Sequence, residues 1–509
     1  MSAAEDRTKR AGRGGIAIAA AKIYFMVVGL VQQIALVHIL GLATYGGLSL
    51  VQGAASIAYN PLVATGVQGM SRAVSSVPDD QREVVTRKAL GVHAAAGIPI
   101  AILFFLAAPW IAQFAWAAPH LTTPVRVIAG VLFFYSLYGP LVGVLNGRRR
   151  FGWQAALDGL FATLRTIGLL LGAWLMVGRG LGTEGALSGF VGAAAIIFFV
   201  ALPLVGTGRR GTSKEGGFKR HLRFIAPLFG GQFALNLLFQ CDFQMLGRFA
   251  TDAGERAGIA AQQAHELAGA YRAAQLFCFL PDQLLLSVTF VLFPLLATAR
   301  RDQDRDAVAR YTRTAVRLAV IIAGAMVSVT ASLPGPLLDM VFGGEAAALG
   351  ARAMFILALG LGVFAIFGIL TTVLTSLGRE IPSALCTVFA LAFVVVLCFT
   401  FVRGQDYGEG LLIRTAACTS VGLLTACFIA AFLVKKTAGA VVPWLTLVRV
   451  GIALAGAIAV GRWLPSPGKL MTLVYALLLA LVYSAILALS RELAKSDLEL
   501  VKTVLGRKR

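Results

Sequence analysis

Charged side chains set within apolar sequence are the residues of this chain best placed to do chemistry. Lys22, Asp158, Arg165, Asp242, Arg272, Asp282 and Arg449 each interrupt a stretch otherwise built of aliphatic and aromatic residues. At the centre of a membrane helix such a group costs about 2.5–3.5 kcal/mol. It persists where it meets an opposite charge, snorkels to the interface or faces a wet cavity. Lys22, Arg165 and Asp282 lie deepest in their stretches and read as cavity-lining. Asp158 and Arg165 are two helical turns apart and share one face. Arg272, Asp242 and Arg449 lie nearer the ends, where snorkelling or a structural ion pair is an equal alternative. Lys22, Arg165 and Arg272 make the set predominantly cationic, and cations in a cavity suit an anionic substrate such as a pyrophosphate. Lys22, Arg165, Arg272 and Asp158 are therefore the candidate cavity residues, and Asp282 and Asp242 the candidate ion-coupling carboxylates. Pro281 directly precedes Asp282 and favours a bend beside it, because proline removes a backbone donor. Pro61, Pro99, Pro140 and Pro227 are further candidate bends.

These residues are positioned by a chain that is 58% hydrophobic and only 14% charged, with mean hydropathy +0.81. Soluble domains carry about 25% charged residues. Apolar runs of spanning length recur from end to end, whereas the short alternating segments of a membrane barrel are absent. The expected fold is an all-α polytopic membrane protein of about fourteen helices. The spans fall near 15–40, 46–68, 86–112, 124–146, 153–177, 184–205, 222–246, 268–297, 312–333, 348–376, 381–402, 410–433, 443–463 and 470–489. The first is too long for the core of a cleaved signal peptide and contains Lys22.

The connecting segments alternate in charge. One side carries 32 Lys and Arg and the other 10, and Lys22, Arg165 and Arg449 within the spans complete the 45. This bias predicts that the first set, which includes both termini, is cytoplasmic. It accounts for the net charge of +21 without nucleic acid, since anionic lipid headgroups are partner enough. The longest connections are 206–223 on the basic side and 247–270 on the other, and neither is large enough for a separate enzymatic domain. The six cysteines form no Cys-x-x-Cys pair and read as small buried hydrophobes, so neither a disulfide framework nor a metal site is expected. There is no Walker loop, and the five histidines are scattered and read as structural. No cofactor and no catalytic residue is expected.

A weak internal repeat is visible. Tyr45 opens the second span and Tyr271 the eighth; Phe114 and Phe342 precede the fourth and tenth; Gly147-Arg148 and Gly378-Arg379 follow them. Two six-helix halves, each with an even number of spans, keep one orientation and are related by an axis along the membrane normal. The expected organisation is a basic tail 1–14, a first bundle 15–205, a linker 206–219, a second bundle 220–434, an additional helix pair 435–489 and a basic tail 490–509.

With these landmarks the sequence resembles the polysaccharide (O-antigen type) flippase family of the multidrug/oligosaccharidyl-lipid/polysaccharide exporter superfamily. Leu40, Gly41, Tyr45 and Gly46 are similar to its turn after the first span, and Asp242 with Leu246-Gly247 to its Asp-x-x-x-Leu-Gly pattern. Tyr271, Ala274, Pro281 and Pro294 resemble its eighth span, and "VFGGEAAALGARAMFILALG" with "LTSLGRE" its tenth span and following loop. The likeness covers roughly 15–435, and the segment between Gly247 and Tyr271 is longer than the family pattern. The resemblance implies two bundles around a central cavity and alternating access in a bacterial inner membrane. It implies a polyprenyl-diphosphate-linked oligosaccharide as cargo, with membrane lipids, a polysaccharide polymerase and glycosyltransferases as partners. Alternative cargoes in the same superfamily are the peptidoglycan lipid precursor or, with cation coupling, drugs. Readings of another class are a membrane-embedded polymerase or glycosyltransferase, and a scaffold that transports nothing.

Reporter fusions test the orientation. Fusions after Arg149, Arg210 and Arg509 are expected to report the cytoplasm and one after Glu255 the opposite side; reversal at two of these sites refutes it.

Overall fold

A computed structural model describes residues 24–211, 218–465 and 468–492. Among the described residues every regular element is helical. Apart from short turns of helix before α3 and α4, they are in chain order α1 (Tyr24–Leu40), α2 (Leu42–Ser75), α3 (Arg82–Leu106), α4 (Thr122–Gly147), α5 (Phe151–Val177), α6 (Gly182–Val205), α7 (Phe218–Arg256), α8 (Ala261–Cys278) and α9 (Leu280–Arg301). They continue with α10 (Arg305–Ser332), α11 (Pro334–Phe342), α12 (Gly344–Ser376), α13 (Glu380–Phe401), α14 (Glu409–Ala438), α15 (Trp444–Trp463) and α16 (Lys469–Leu489). Eleven of the described helices are long and apolar enough to cross a membrane. The count of about fourteen spans is consistent with these, with the shorter α1, with α2 and with the α8–α9 pair.

The chain separates into two compact units, Met1–Gly269 and Ala270–Arg509. In the first, α4 packs along α2, α3 and α6, and α6 packs along α5. In the second, α12 packs along α9, α10 and α14, and α14 packs along α13. The packing of α2 to α6 in the first unit is thus repeated by α9, α10, α12, α13 and α14 in the second, while α7 falls in the first unit. Tyr45 and Tyr271, the first pair of landmarks, are both fully buried.

Backbone-close contacts build the first unit. Gly139, Gly143 and Gly147 recur every fourth residue on α4 and form a smooth groove for α2. A Cβ on Gly143 would stand 2.6 Å from the Val67 carbonyl oxygen, and one on Gly147 2.9 Å from that of Ser71. Gly168 and Gly172 on α5 face Gly189 and Gly185 on α6, and a Cβ on any of the four would strike the opposing backbone. Apolar lipid gives helices no hydrophobic reason to associate, so such small-residue seams supply the packing.

Several expected boundaries shift. The connection 247–270 is mostly helix, because α7 runs to Arg256 and α8 starts at Ala261. Its polar residues support the extension instead of breaking it, with Arg248 pairing to Asp252 one turn on at 3.0 Å. On the basic side, α7 already begins at Phe218. Pro61, Pro99, Pro140 and Pro227 lie within continuous helices. At Pro281 the expected interruption is present: α8 ends at Cys278 and α9 starts at Leu280. All six cysteines are free, five of them buried.

In the second unit, α15 and α16 dock on α10. Tyr483 of α16 donates to the Ile321 carbonyl at 3.0 Å. Just beyond α16, the buried Glu492 carboxylate accepts from Arg317 of α10 at 2.7 Å, from Thr446 of α15 at 2.7 Å and from Arg449 of α15 at 2.7 Å. Arg449 is thus a structural ion-pair residue. Burial pushes the Glu492 carboxyl up, but the bonds from Arg317, Thr446 and Arg449 and the charge of Arg317 outweigh it and hold the group below the ordinary carboxylate range. A depressed carboxyl stabilises the folded state above its unfolded value and ceases to do so as pH falls through its folded value. Glu492→Gln is expected to cost roughly 2 kcal/mol at neutral pH, because it leaves two half-buried arginines without their anion. In thermal unfolding, the gap between wild type and variant should hold steady at neutral pH and close as pH falls below the ordinary value of 4.5. A gap that persists in acid would show that the carboxylate charge is not what joins these helices.

Candidate functional site

The first unit brings Asp158 and Arg165 onto one face of α5, against α4. Asp158 acts electrostatically on Tyr138, and Arg165 on Tyr135 one turn away. The Arg165 guanidinium lies 4.9 Å from the centre of the Phe190 ring and 5.8 Å from that of Phe25. A weakly hydrated planar cation fits this aromatic setting better than an ammonium. Tyr135 in turn meets Tyr59 at 5.2 Å, Phe161 at 5.5 Å and Phe190 at 5.9 Å between ring centres. The result is an aromatic layer with one cation and one carboxylate at its margin. Arg165 Nε and the Tyr138 hydroxyl are buried without a hydrogen-bond partner. Unpaired buried donors are costly, and a polar ligand would satisfy them.

Polar side chains continue from this layer on both sides. Tyr24 bonds Thr163 at 2.8 Å and Thr166 donates to Gln32 at 3.3 Å, joining α1 to α5. Asn60 of α2 donates to Asn236 of α7 at 2.8 Å. Asp242, also on α7, is buried, and its Oδ1 accepts the Phe243 N–H at 2.7 Å. Lys22 lies outside the described residues.

In the second unit, Arg272 is half-buried on α8 and its Nη1 donates to Gln275 at 3.1 Å. Asp282 stands in the first turn of α9, at the helix break, where the amino end of a helix favours a carboxylate. It faces α12 at Gly368, where a Cβ would lie 3.8 Å from Asp282 Oδ1. Among the described residues Asp282 makes no ion pair.

Sequence spacing concealed one cluster. His93 of α3 and His221 of α7 are 128 residues apart, yet their Nε2 atoms meet at 3.0 Å in a buried pair. Gly69 of α2 lets both rings approach, since a Cβ there would stand 3.3 Å from His93 Nε2 and 3.5 Å from His221 Nε2. The signal was faint: a histidine in each of two apolar segments, neither with a local partner. No group of three or more metal-ligating side chains occurs among the described residues.

If Asp158 and Arg165 face a wet chamber, cysteines at either position, in a chain whose native cysteines are replaced by alanine, will react with a small water-soluble methanethiosulfonate. Ile167, at the same depth on the opposite face and exposed, will not. The reverse pattern would place Asp158 and Arg165 against lipid.

Comparisons with known proteins agree with this architecture. Residues 11–300 match the polysaccharide biosynthesis protein family. No curated protein matches the sequence. Among solved structures, the lipid II flippase MurJ in an inward closed conformation is 15% identical, covering 92% of this chain and 98% of that chain, with a TM-score of 0.70. An inward-facing multidrug resistance MATE family transporter of the MOP superfamily is 15% identical, covering 83% and 98%, with a TM-score of 0.67. A MOP superfamily transporter from Pyrococcus furiosus is 16% identical, covering 84% and 96%, with a TM-score of 0.60. At these identities the structural likeness establishes the fold alone, whereas the family match covers more than half of the sequence: the chain belongs to the polysaccharide biosynthesis protein family of multi-pass membrane proteins.

Proposed function

We propose that this protein is a flippase that moves a polyprenyl-diphosphate-linked oligosaccharide across the bacterial inner membrane by alternating access, for cell-surface polysaccharide synthesis. The carrying observation is the match to the polysaccharide biosynthesis family, on a fold that lipid II flippase MurJ also has. The physical problem is to carry a diphosphate and its sugars through hydrocarbon, where unpaired charge is prohibitively costly. Arg165 in the first unit and Arg272 in the second would supply cations to the diphosphate, with Lys22 a third candidate from the sequence. Guanidinium forks bind such oxygens in pairs. Asp158, the tyrosine hydroxyls of α2 and α4 and the Asn60–Asn236 amides would offer donors and acceptors to sugar hydroxyls. The chain acts in this reading as a transporter rather than a polymerase, and the polymerase and glycosyltransferases are separate partners. The charge bias of the connecting segments supports a cytoplasmic side for both termini.

Coupling is assigned to Asp282, with Asp242 as a second candidate. Asp282 stands at the interruption between α8 and α9, so binding or release of a proton or cation there acts on the joint of a divided span. Reconstitution in vesicles tests both parts. Lipid-linked oligosaccharide loaded in one leaflet should become accessible to an external glycosidase at a rate that depends on the ion gradient. Asp282→Asn keeps the shape but removes the titration, and should abolish the gradient dependence while cargo binding survives. An unaltered dependence in Asp282→Asn would remove the coupling role. Movement of the peptidoglycan lipid precursor without movement of the oligosaccharide would replace the cargo.

A further inference from the structure

A cavity of about 1000 Å³ opens in the second unit between the α9–α10 turn, the α12–α13 turn and the last turn of α14. All three belong to the connections on the basic side of the chain. Arg300, Arg305, Arg379 and Lys436 line the cavity, each from a different element or turn. None of the four makes an ion pair among the described residues. Arg301, which is not part of the lining, pairs with Asp302 at 3.3 Å. Two carboxylates share the cavity wall. Asp304 is engaged as the cap of α10, accepting the Ala307 N–H at 2.8 Å. Asp306 lies in the first turn of α10, where it offsets the positive end of the helix. The cations therefore converge in excess, a repulsive arrangement that an incoming anion relieves.

The corresponding turn of the first half is filled differently. After α4, Arg148 turns inward and its Nη1 donates to the carbonyl of Val205 at the end of α6, at 3.3 Å. By the backbone bonds of the two turns, Arg148 has Leu377 as its counterpart after α12; Leu377 carries no donor for the end of α14 and lines the cavity. Gly378, with φ of +67°, takes a conformation that side chains rarely adopt, and a Cβ there would collide with the Arg300 guanidinium. The glycine thus admits Arg300 beside Arg379, giving two planar forks at one wall.

We propose that this cavity is a binding site for a phosphate-bearing anion, held by Arg300, Arg305, Arg379 and Lys436. Paired guanidiniums match phosphate oxygens bidentately, and the lysine adds a point charge. A soluble diphosphate and the headgroup of an anionic lipid present the same chemistry. The site lies wholly within the second unit and does not depend on the cargo reading.

Thr437 lines the cavity and is exposed, so Thr437→Cys in a chain otherwise free of cysteine reports occupancy through its rate of labelling by a neutral maleimide. The protein is embedded in nanodiscs of phosphatidylcholine alone, and inorganic pyrophosphate is added. Labelling is expected to slow about tenfold at ten times the dissociation constant, since only about a tenth of the sites then stay free. Arg300→Gln with Arg379→Gln should restore the rate. Because Arg300 abuts Gly378, Arg305→Gln with Lys436→Gln serves as a second variant if the first is unstable. Protection by pyrophosphate that these variants abolish identifies a site open to soluble phosphates. Protection seen only when phosphatidylglycerol is included in the discs, and abolished by the same variants, assigns the site to a lipid headgroup. No protection under either condition, or protection that survives both variants, overturns the proposal. Cargo movement in vesicles is measured separately, so a failed flippase reading leaves this result intact.

Discussion

Close approach of helix backbones is the constraint on which the rest of this structure depends. In a bilayer the lipid tails are as apolar as leucine, so burying leucine against leucine gains little, and helices associate where their surfaces allow dense contact. The glycine row of α4 against α2, and the facing glycine pairs of α5 and α6, set those contacts in the first unit. They also fix the rotation of each helix. With α5 held on α6 through Gly168 and Gly172, Arg165 is directed at Phe190, and Asp158 at Tyr138. The positions of the charged groups are consequences of residues that carry no chemistry of their own.

The arginines of this chain show how context decides the fate of a costly charge. Arg449 finds a buried carboxylate in Glu492 and fastens α15 to α10 and to the end of α16. Arg148 spends its guanidinium on the carbonyl at the end of a neighbouring helix. Arg165 has neither, lies over aromatic faces and leaves Nε unpaired. The first two arrangements are complete without a ligand. The third is not, and an incomplete polar group in an otherwise well-packed helix is the more informative sign of function.

Much of the fold was legible because spanning length, apolarity and the alternation of basic loops are written locally in the chain. The repeat was legible at Tyr45 and Tyr271, since a fully buried tyrosine constrains residue type strongly; the two Gly-Arg pairs are out of register, because Arg149 holds in the first turn the positive-φ place that Gly378 holds in the second. The segment 247–270 was misread because Asp252, Glu255 and Arg256 mark polarity, and polarity does not distinguish a loop from a helix that outlasts the hydrocarbon. Arg449 was left open between snorkelling and pairing because its partner Glu492 belongs to a segment that reads as a basic tail. The meeting of His93 with His221 was hidden for the same reason: only the docking of α7 beside α3 joins them, and no local spacing encodes that.

The helices that fall short of the apolarity of a spanning segment are themselves a guide to where the work is done. Among the described helices, α2 holds the place of the second span and α8 opens the place of the eighth, and neither is in the set of eleven. These two places correspond in the repeat. In the first unit α2 packs on α4, and in the second α9 packs on α12, in the same internal plan. α2 carries Gln52, Ser56, Asn60 and Thr65; α8 and α9 carry Arg272, Gln275 and Asp282. A helix surrounded by lipid has no use for such residues, and each would raise its insertion cost. Their burial agrees, with Tyr45, Leu48 and Leu50 of α2 and Tyr271, Ala273 and Ala274 of α8 fully enclosed. The same structural position is polar in both halves, so the polarity belongs to the repeat rather than to one chance substitution. On the proposed flippase reading, this polar face would offer partners to an anionic or sugar-bearing ligand in addition to Asp158 and Arg165 of α5.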